Sequence, residues 1–301
     1  MIVKEYALGI DIGGTKIAFA IIDKNGQLSH SHTVPSNVHD AEALFQCVVD
    51  GINRVLDNSS LSLTELNSIG VGLPGKVDHK NGIAVFQNNI PWKNFPLVER
   101  LREQLQIDIP IYIDNDVKAA AFAEYYAANV DKDDIFTYFT ISTGIANASI
   151  WNHQVIRGSG FSGETGFLPT YQDGKMAKLE DVVGGPAIQK AGQTAYVDAT
   201  ITTKDVFARY AEGDDKAVTI IENCADSLTS AIYSIVCIID PACIVFGGSV
   251  AFHNPSFIEL IKTKLARIVH EEQSHIVDNI HVTKIGSHNG VIGAGLMGFY
   301  Q

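Results

Sequence analysis

The chain has 301 residues, which allows roughly two domains of about 150 residues each, and its 46% hydrophobic content is ample for packed cores. Thirty-four acidic residues against 22 basic ones leave a formal charge of -12, which argues against nucleic acid or an anionic membrane as the main partner. No run approaches ~18 uninterrupted apolar residues and the start carries no signal-peptide core, so a cytoplasmic protein is expected.

In chain order, apolar alternation predicts strands over Tyr6 to Ile10 and Ile17 to Ile22, separated by Asp11-Ile12-Gly13-Gly14-Thr15-Lys16. Such a segment reads in two ways. It can be an ordinary Gly-Gly hairpin turn, or a phosphate loop whose glycines take positive φ and bring backbone N–H groups to an anion while Asp11 holds Mg²⁺ through water. A third strand follows at Leu28 to Val34, then a helix from Asp40 to Leu56, and a short strand at Ile69 to Leu73 that ends in Pro74-Gly75. Ile83 to Phe86 reads as a strand, Pro96 to Leu105 as a helix and Ile109 to Ile113 as a buried strand. That strand runs into Asp114-Asn115-Asp116 before an alanine-rich helix, Val117 to Ala128. Polar side chains therefore cluster where a strand's carboxyl end meets a helix, the usual ligand position in open α/β sheets.

At Ile135 the pattern restarts, with strands at Phe136 to Ser142 and Ile145 to Trp151 around Thr143-Gly144, which suggests internal duplication of one α/β unit. Helices are expected at Asp181 to Ala191, Thr203 to Glu212 and Asp215 to Ile238. A strand at Ala242 to Phe246 ends in Gly247-Gly248-Ser249, followed by a helix at Pro255 to Val269, a strand at Ile280 to Ile285 and a final helix after Gly290. That helix is a candidate to cross back onto the first domain. Cys47, Cys224, Cys237 and Cys243 stand singly among apolar residues and read as reduced, buried thiols.

Two Gly-turn hairpins, Gly72-Leu73-Pro74-Gly75, Asn115-Asp116 and a late Gly-Gly-Ser, in this order over essentially the whole chain, resemble the ROK family of bacterial sugar kinases. The resemblance implies an α/β fold of two ribonuclease-H-like (actin-like ATPase) domains around a central cleft. These would be residues 1-117 with 288-301, and residues 118-287. It implies ATP and Mg²⁺ as cofactors, small-molecule sugar and ATP as ligands, and, as a family expectation, a homodimer. Asp11, Gly13, Gly14, Thr15 and Lys16 would form the first phosphate hairpin, with Asp11 on the metal. Thr143 and Gly144 would form the second, and Gly247, Gly248 and Ser249 would line the adenosine. Pro74, Gly75, the Asn88-Asn89 segment through Trp92, and Asn115 would contact the sugar. Asp116 would be the catalytic base, taking the proton of the hydroxyl that attacks the γ-phosphate; Asn115 and Asp116 would also suit a helix cap. For Asp114 a capping role is expected.

Three departures from the family pattern bear on function. Where most members carry Gly-Glu-x-Gly-His and a cysteine-rich zinc loop, this chain reads Gly163-Glu164-Thr165-Gly166-Phe167, with no cysteine before Glu180. Structural zinc needs about four N or S ligands, so no zinc site is expected. Glu164 and Glu180 remain as carboxylates able to bridge neighbouring sugar hydroxyls. Phe167 either offers an aromatic face to the second ring of a β-glucoside or fills the volume of the missing loop. His153, the nearest upstream histidine, reads as a solvent-exposed turn residue. Thr143-Gly144 continues as Ile145-Ala146-Asn147-Ala148 where the family has more glycines, which raises a catalytically degenerate sugar-binding regulator as an alternative. Within the family, glucokinase, fructokinase and N-acetylmannosamine kinase activities are further alternatives to phosphorylation of a β-glucoside. The regulators of the family carry an added N-terminal DNA-binding domain, and with the phosphate hairpin reached by residue 11 no such domain is expected.

Overall fold

The computed structural model describes residues 4–87, 89–172 and 174–300. Asn88, one of the expected sugar-segment residues, lies outside them. The chain divides into two compact units, one of residues 1–129, 153–162 and 287–301, the other of residues 130–152 and 163–286.

The first unit opens with β1 (Tyr6–Ile12), β2 (Lys16–Asp23) and β3 (Leu28–Pro35), an antiparallel meander, followed by α1 (Ala41–Ser59) and β4 (Ile69–Leu73). Three short strands, β5 (Lys76–Asp78), β6 (Ile83–Phe86) and β7 (Lys93–Phe95), form a separate small sheet before α2 (Leu97–Leu105), β8 (Ile111–Asn115) and α3 (Asp116–Ala128). The main sheet has the order β3-β2-β1-β4-β8, with β1, β4 and β8 parallel. β4 is buried along its whole length because both faces of the sheet are covered, which explains an apolar run where a one-sided strand would alternate. On one face α1 buries Leu44, Val48, Ile52 and Val55, the spacing of one helical stripe, and Asp40 caps it by accepting the Ala43 N–H at 2.8 Å.

The second unit contains β9 (Phe136–Ile141) and β10 (Ile145–Trp151); the two-residue strand β11 (Gln154–Val155) comes next in the chain, within the stretch 153–162 that is grouped with the first unit. Next come the hairpin β12 (Pro169–Gln172) and β13 (Lys175–Lys178), then α4 (Glu180–Val183), α5 (Gly185–Tyr196), α6 (Thr203–Ala211) and α7 (Asp215–Ile239). β14 (Cys243–Gly247), α8 (Gly248–His253), α9 (Pro255–Leu265), α10 (His275–Asp278) and β15 (Ile280–Val282) follow. The five-stranded sheet that holds β9 has the order β11-β10-β9-β14-β15, the same plan as the other five-stranded sheet, so the internal duplication expected from the hairpins is present in the topology. The single helix expected over Asp181 to Ala191 is broken at Gly184-Gly185. A Cβ at Gly184 would stand 2.9 Å from Thr143 O, so the backbone bends there to approach the β9–β10 turn.

The last helix, α11 (Asn289–Tyr300), belongs to the first unit. It lies against β1, β4 and α3 so closely that a Cβ at Gly70 would be 1.7 Å from Ala294 O, and one at Gly293 would be 1.7 Å from Ala119 O. With α3 packed on α11, the first compact unit runs to residue 129, beyond the residue 117 expected for the first domain. Of the cysteines expected to be buried, Cys224 and Cys243 are, while Cys47 is half-buried and Cys237 is exposed, on the outward side of α7. Among the described residues no helix is long and apolar enough to cross a membrane.

Candidate active site

In the first unit the parallel register sets Asp11 beside Gly72 and Gly72 beside Asp114, at the carboxyl ends of three neighbouring strands. Gly72 leaves the space between the acids open: a Cβ there would stand 3.8 Å from Asp11 Oδ1 and 3.6 Å from the Asp116 Cα. Burial first, and the Asp116 charge second, push the Asp11 carboxyl up to about 7, with Lys16 pulling the other way. Burial also raises the Asp116 carboxyl, against the lowering effect of hydrogen bonds from the Val117 N–H and Asn115.

The hairpin between β1 and β2 is tight, with the Gly13 N–H donating to Lys16 O at 2.9 Å. Neither Gly13 nor Gly14 takes the left-handed φ expected of them; what the glycines supply is room. A Cβ at Gly14 would come 2.9 Å from the Asn89 Cβ, so the sugar-segment candidate packs directly on the hairpin. Ser36, which the sequence did not single out, braces the turn by donating to Gly13 O at 2.6 Å. Thr15 and Lys16 are exposed at its tip. In the sugar segment Asn89 is exposed, whereas Ile90 and Trp92 belong to the core; Trp92 stacks on Phe95 at 4.7 Å and donates to Ala41 O.

Asn115 is the N-cap of α3, its Oδ1 accepting from the Val117 and Lys118 N–H groups at 3.0 and 3.4 Å. Its Nδ2 donates to Gly75 O at 3.0 Å, and the same side chain hydrogen-bonds the Asp116 carboxyl. Gly75 sits at φ 80°, and Pro74 precedes it at the end of β4. Asp114 does not take the expected capping role. It is buried and ion-paired to Arg157, a residue that carried no signal in the sequence because it lies 43 positions away. His153 is likewise not free in solvent: it is half-buried, 3.3 Å from the Tyr125 hydroxyl and stacked near Tyr300.

In the second unit the β9–β10 turn presents Ser142, Thr143 and Gly144. Ala146, Asn147 and Ala148 lie in regular antiparallel pairing with β9 at ordinary strand φ, so the lost glycines impose no backbone strain. Gly248 has φ 81°, and a Cβ there would meet Ile141 O at 2.4 Å, which ties the Gly247-Gly248-Ser249 turn to the end of β9. Ser142, Thr143 and Ser249 line a cavity of about 1070 Å³ together with Lys190, Phe207 and His253. The last three are functional candidates that pattern reading missed, because they come from three separate helices with no motif of their own.

Glu164 and Glu180 are half-buried, and Glu180 Oε2 lies where a Cβ at Gly166 would be only 2.7 Å away and one at Gly144 3.2 Å away. Both glycines therefore make room for the Glu180 carboxylate. Phe167 is 46% exposed, so it does not fill a core volume. One face of its ring carries the Lys178 ammonium at 4.8 Å, and Lys178 ends the β12–β13 hairpin that occupies the stretch between Phe167 and Glu180. No group of three or more His, Cys, Asp or Glu side chains suited to a metal occurs among the described residues.

The sequence model of the ROK family matches residues 7–298. The chain belongs to the ROK family. It is 26% identical to a glucokinase of Halalkalibacterium halodurans over 313 residues, covering 97% of this chain and 94% of the relative. An N-acetylmannosamine kinase of Escherichia coli O1:K1 / APEC is 30% identical over 268 residues, 86% of this chain and 88% of the relative. Among solved structures, a ROK family glucokinase of Streptomyces griseus in complex with glucose and AMPPNP superposes with a TM-score of 0.78 at 23% identity, over 97% of this chain and 98% of that one. The fold is thus that of ROK kinases, the actin-like ATPase arrangement with a ribonuclease-H-like sheet in each unit.

Proposed function

We propose that this ROK protein is an ATP-dependent carbohydrate kinase that transfers the γ-phosphoryl group to a primary hydroxyl, the 6-position, of a hexose or β-glucoside. The observation that carries the reading is the pair Asp11 and Asp116 facing each other over Gly72, with Asp116 opening α3 and its carboxyl raised by burial. A raised carboxyl is a better proton acceptor for an alcohol, and the Val117 and Asn115 hydrogen bonds hold it in one orientation. In the proposed step Asp116 takes the hydroxyl proton as the new O–P bond forms and the bond from the γ-phosphorus to the departing ADP oxygen breaks. Asn115 would donate to a neighbouring sugar hydroxyl. Pro74, Gly75, Asn89, Glu164, Phe167 and Glu180 are further proposed sugar contacts.

Hard carboxylate oxygens with few other charges fit Mg²⁺, which keeps several waters and phosphate oxygens in its shell, and Asp11 would hold it through water. When bound, Mg²⁺ would neutralise charge on the phosphates. The Gly13–Gly14 backbone, Thr15, Lys16, Thr143 and Gly144 are the proposed phosphate contacts. The 1070 Å³ cavity, which Ser249 lines, is of a size for the adenosine, and Gly247 and Gly248, next to Ser249 in the chain, are further proposed adenosine contacts. That the S. griseus glucokinase was solved with AMPPNP and glucose supports both ligand classes.

A coupled ADP-release assay on a panel of hexoses, N-acetylmannosamine and β-glucosides tests the reading. Sugar binding without turnover on every member would replace it with the degenerate regulator. Exposure of Phe167 favours the β-glucoside branch, since an exposed aromatic side chain is one on which a second sugar ring can stack. In that branch Phe167→Ala raises KM for β-glucosides while leaving glucose unchanged; equal changes for both would assign Phe167 no part in selection.

A further inference from the structure

The stretch 153–162 leaves the second unit's strand β10 and packs as part of the first unit before the chain returns at Gly163. Three of its residues are tied to α3 or to the residue pair that leads into it. His153 meets Tyr125 on α3, Gly160 O accepts from the buried Lys118 ammonium at 3.2 Å, and Arg157 pairs with Asp114. The Arg157 contact is the strongest of these: Nε and Nη2 both donate to Asp114 Oδ2, at 2.9 and 2.6 Å. Its partner is only 3% exposed.

Asp114 uses its other oxygen on the chain itself. Oδ1 accepts the Asn115 N–H at 2.8 Å, which fixes the backbone of the residue whose side chain then caps α3 and anchors Gly75 O. A continuous series of bonds runs from the guanidinium through one buried carboxylate to the proposed sugar donor and to Asp116, the next residue. Arg157 is also held from behind, its Nη1 donating to Val155 O at 3.4 Å, and the half-buried imidazole of His79 faces the pair. A buried carboxylate left without this partner would draw water or shift to find a donor, and the Asn115 backbone would move with it.

We infer that Arg157 is a positioning residue for phosphoryl transfer: through Asp114 it holds the Asn115-Asp116 pair in the orientation that the acceptor hydroxyl requires. The inference rests on the kinase reading above, in which Asp116 is the base. Arg157 touches neither substrate in this scheme, so its loss acts on the chemical step and leaves nucleotide affinity alone.

The test compares the full-length wild type with Arg157→Gln, Arg157→Lys and Asp114→Asn, by ADP release and by amide hydrogen exchange without ligand, at a temperature where all are folded. Arg157→Gln is expected to lower kcat about 10- to 100-fold, the order that a displacement of about 1 Å costs, with KM for ATP within about threefold. Arg157→Lys, which keeps the charge and one donor, should recover most of kcat, and Asp114→Asn should match Arg157→Gln. Exchange of the 114–120 amides should quicken in Arg157→Gln while α9 in the second unit is unchanged. Wild-type kcat in both Arg157→Gln and Asp114→Asn would overturn the inference. So would exchange quickened equally in every element, which marks a general loss of stability, and Arg157→Lys no better than Arg157→Gln. If Arg157→Gln does not fold, the kinetics of Asp114→Asn and Arg157→Lys decide by the same criteria. If the wild type turns over no sugar, the kinase reading fails by itself, and the exchange of residues 114–120 still decides whether Arg157 orders them.

Discussion

Replacing Asp116 by Asn separates chemistry from architecture at the proposed base. The new side chain keeps an Oδ1, so the Val117 N–H that donates to Asp116 at 2.9 Å retains its acceptor, and the Asn115 cap of α3 is untouched. One negative charge at a helix N-terminus is lost, worth about 0.3 to 1 kcal/mol. Against this, burial already disfavours the ionised carboxyl, so the neutral amide relieves part of that cost. Stability should therefore change by less than about 1 kcal/mol. The loss falls on kcat: general-base catalysis contributes about 10²- to 10⁴-fold, or about 3 to 5 kcal/mol of barrier. KM for the sugar should stay within a few-fold, since the proposed Asn115 contact is kept and the new amide can still hydrogen-bond the sugar hydroxyl. The assay is ADP release at saturating ATP and Mg²⁺, with thermal unfolding as the control for folding. A kcat within about threefold of wild type, at unchanged Tm, would refute the assignment, because removal of a proton acceptor cannot leave general-base catalysis intact.

Asp11→Asn has a pH signature. The Asp11 carboxyl rises from 3.8 in the unfolded chain to about 7 in the native one, so between these values the native state binds more protons. Its stability therefore falls as pH rises from about 4 to about 7, an order of a few kcal/mol at most, and is level above. The Tm difference between Asp11→Asn and wild type, measured without nucleotide at pH 5 and pH 8, should grow with pH; parallel curves would contradict the cause given. Gly75→Ala places a Cβ 2.3 Å from Phe86 O at φ 80°, so urea unfolding should register a loss of at least about 1 to 2 kcal/mol. The Asn115 anchor moves with it, and KM for the sugar should rise. Ala211→Trp puts a large ring into the 1070 Å³ cavity and should raise KM for ATP while leaving KM for the sugar alone; a sugar effect of equal size would place the nucleotide elsewhere.

Local pattern was enough for the elements that bury a stripe or a strand. Ile69–Leu73 and Ile145–Trp151 were readable to the residue because β-branched and apolar runs stop at Pro74 and Asn152, and Asn115-Asp116 was readable because a polar pair ends an apolar strand. Short strands such as Lys93–Phe95 and the hairpin Pro169–Lys178 were missed, since three or four mixed residues carry no periodicity. Trp92 was misplaced for a related reason: its neighbours Asn88 and Asn89 are polar, and only packing against Phe95 and α1 determines that the indole turns inward.

By itself the sequence determined the duplicated strand–turn–strand plan and the family, and it supplied the residues proposed to bear the chemistry, because glycines, carboxylates and apolar runs act over a few positions. The tertiary structure decided which charges answer one another. Asp114 was a capping residue until Arg157, 43 positions on, was brought to its carboxylate, and Asp11 became an acid near neutrality only when burial and Asp116 met across Gly72. Such pairings depend on desolvation and on distances of a few ångströms between remote segments, quantities that exist only once the chain has folded.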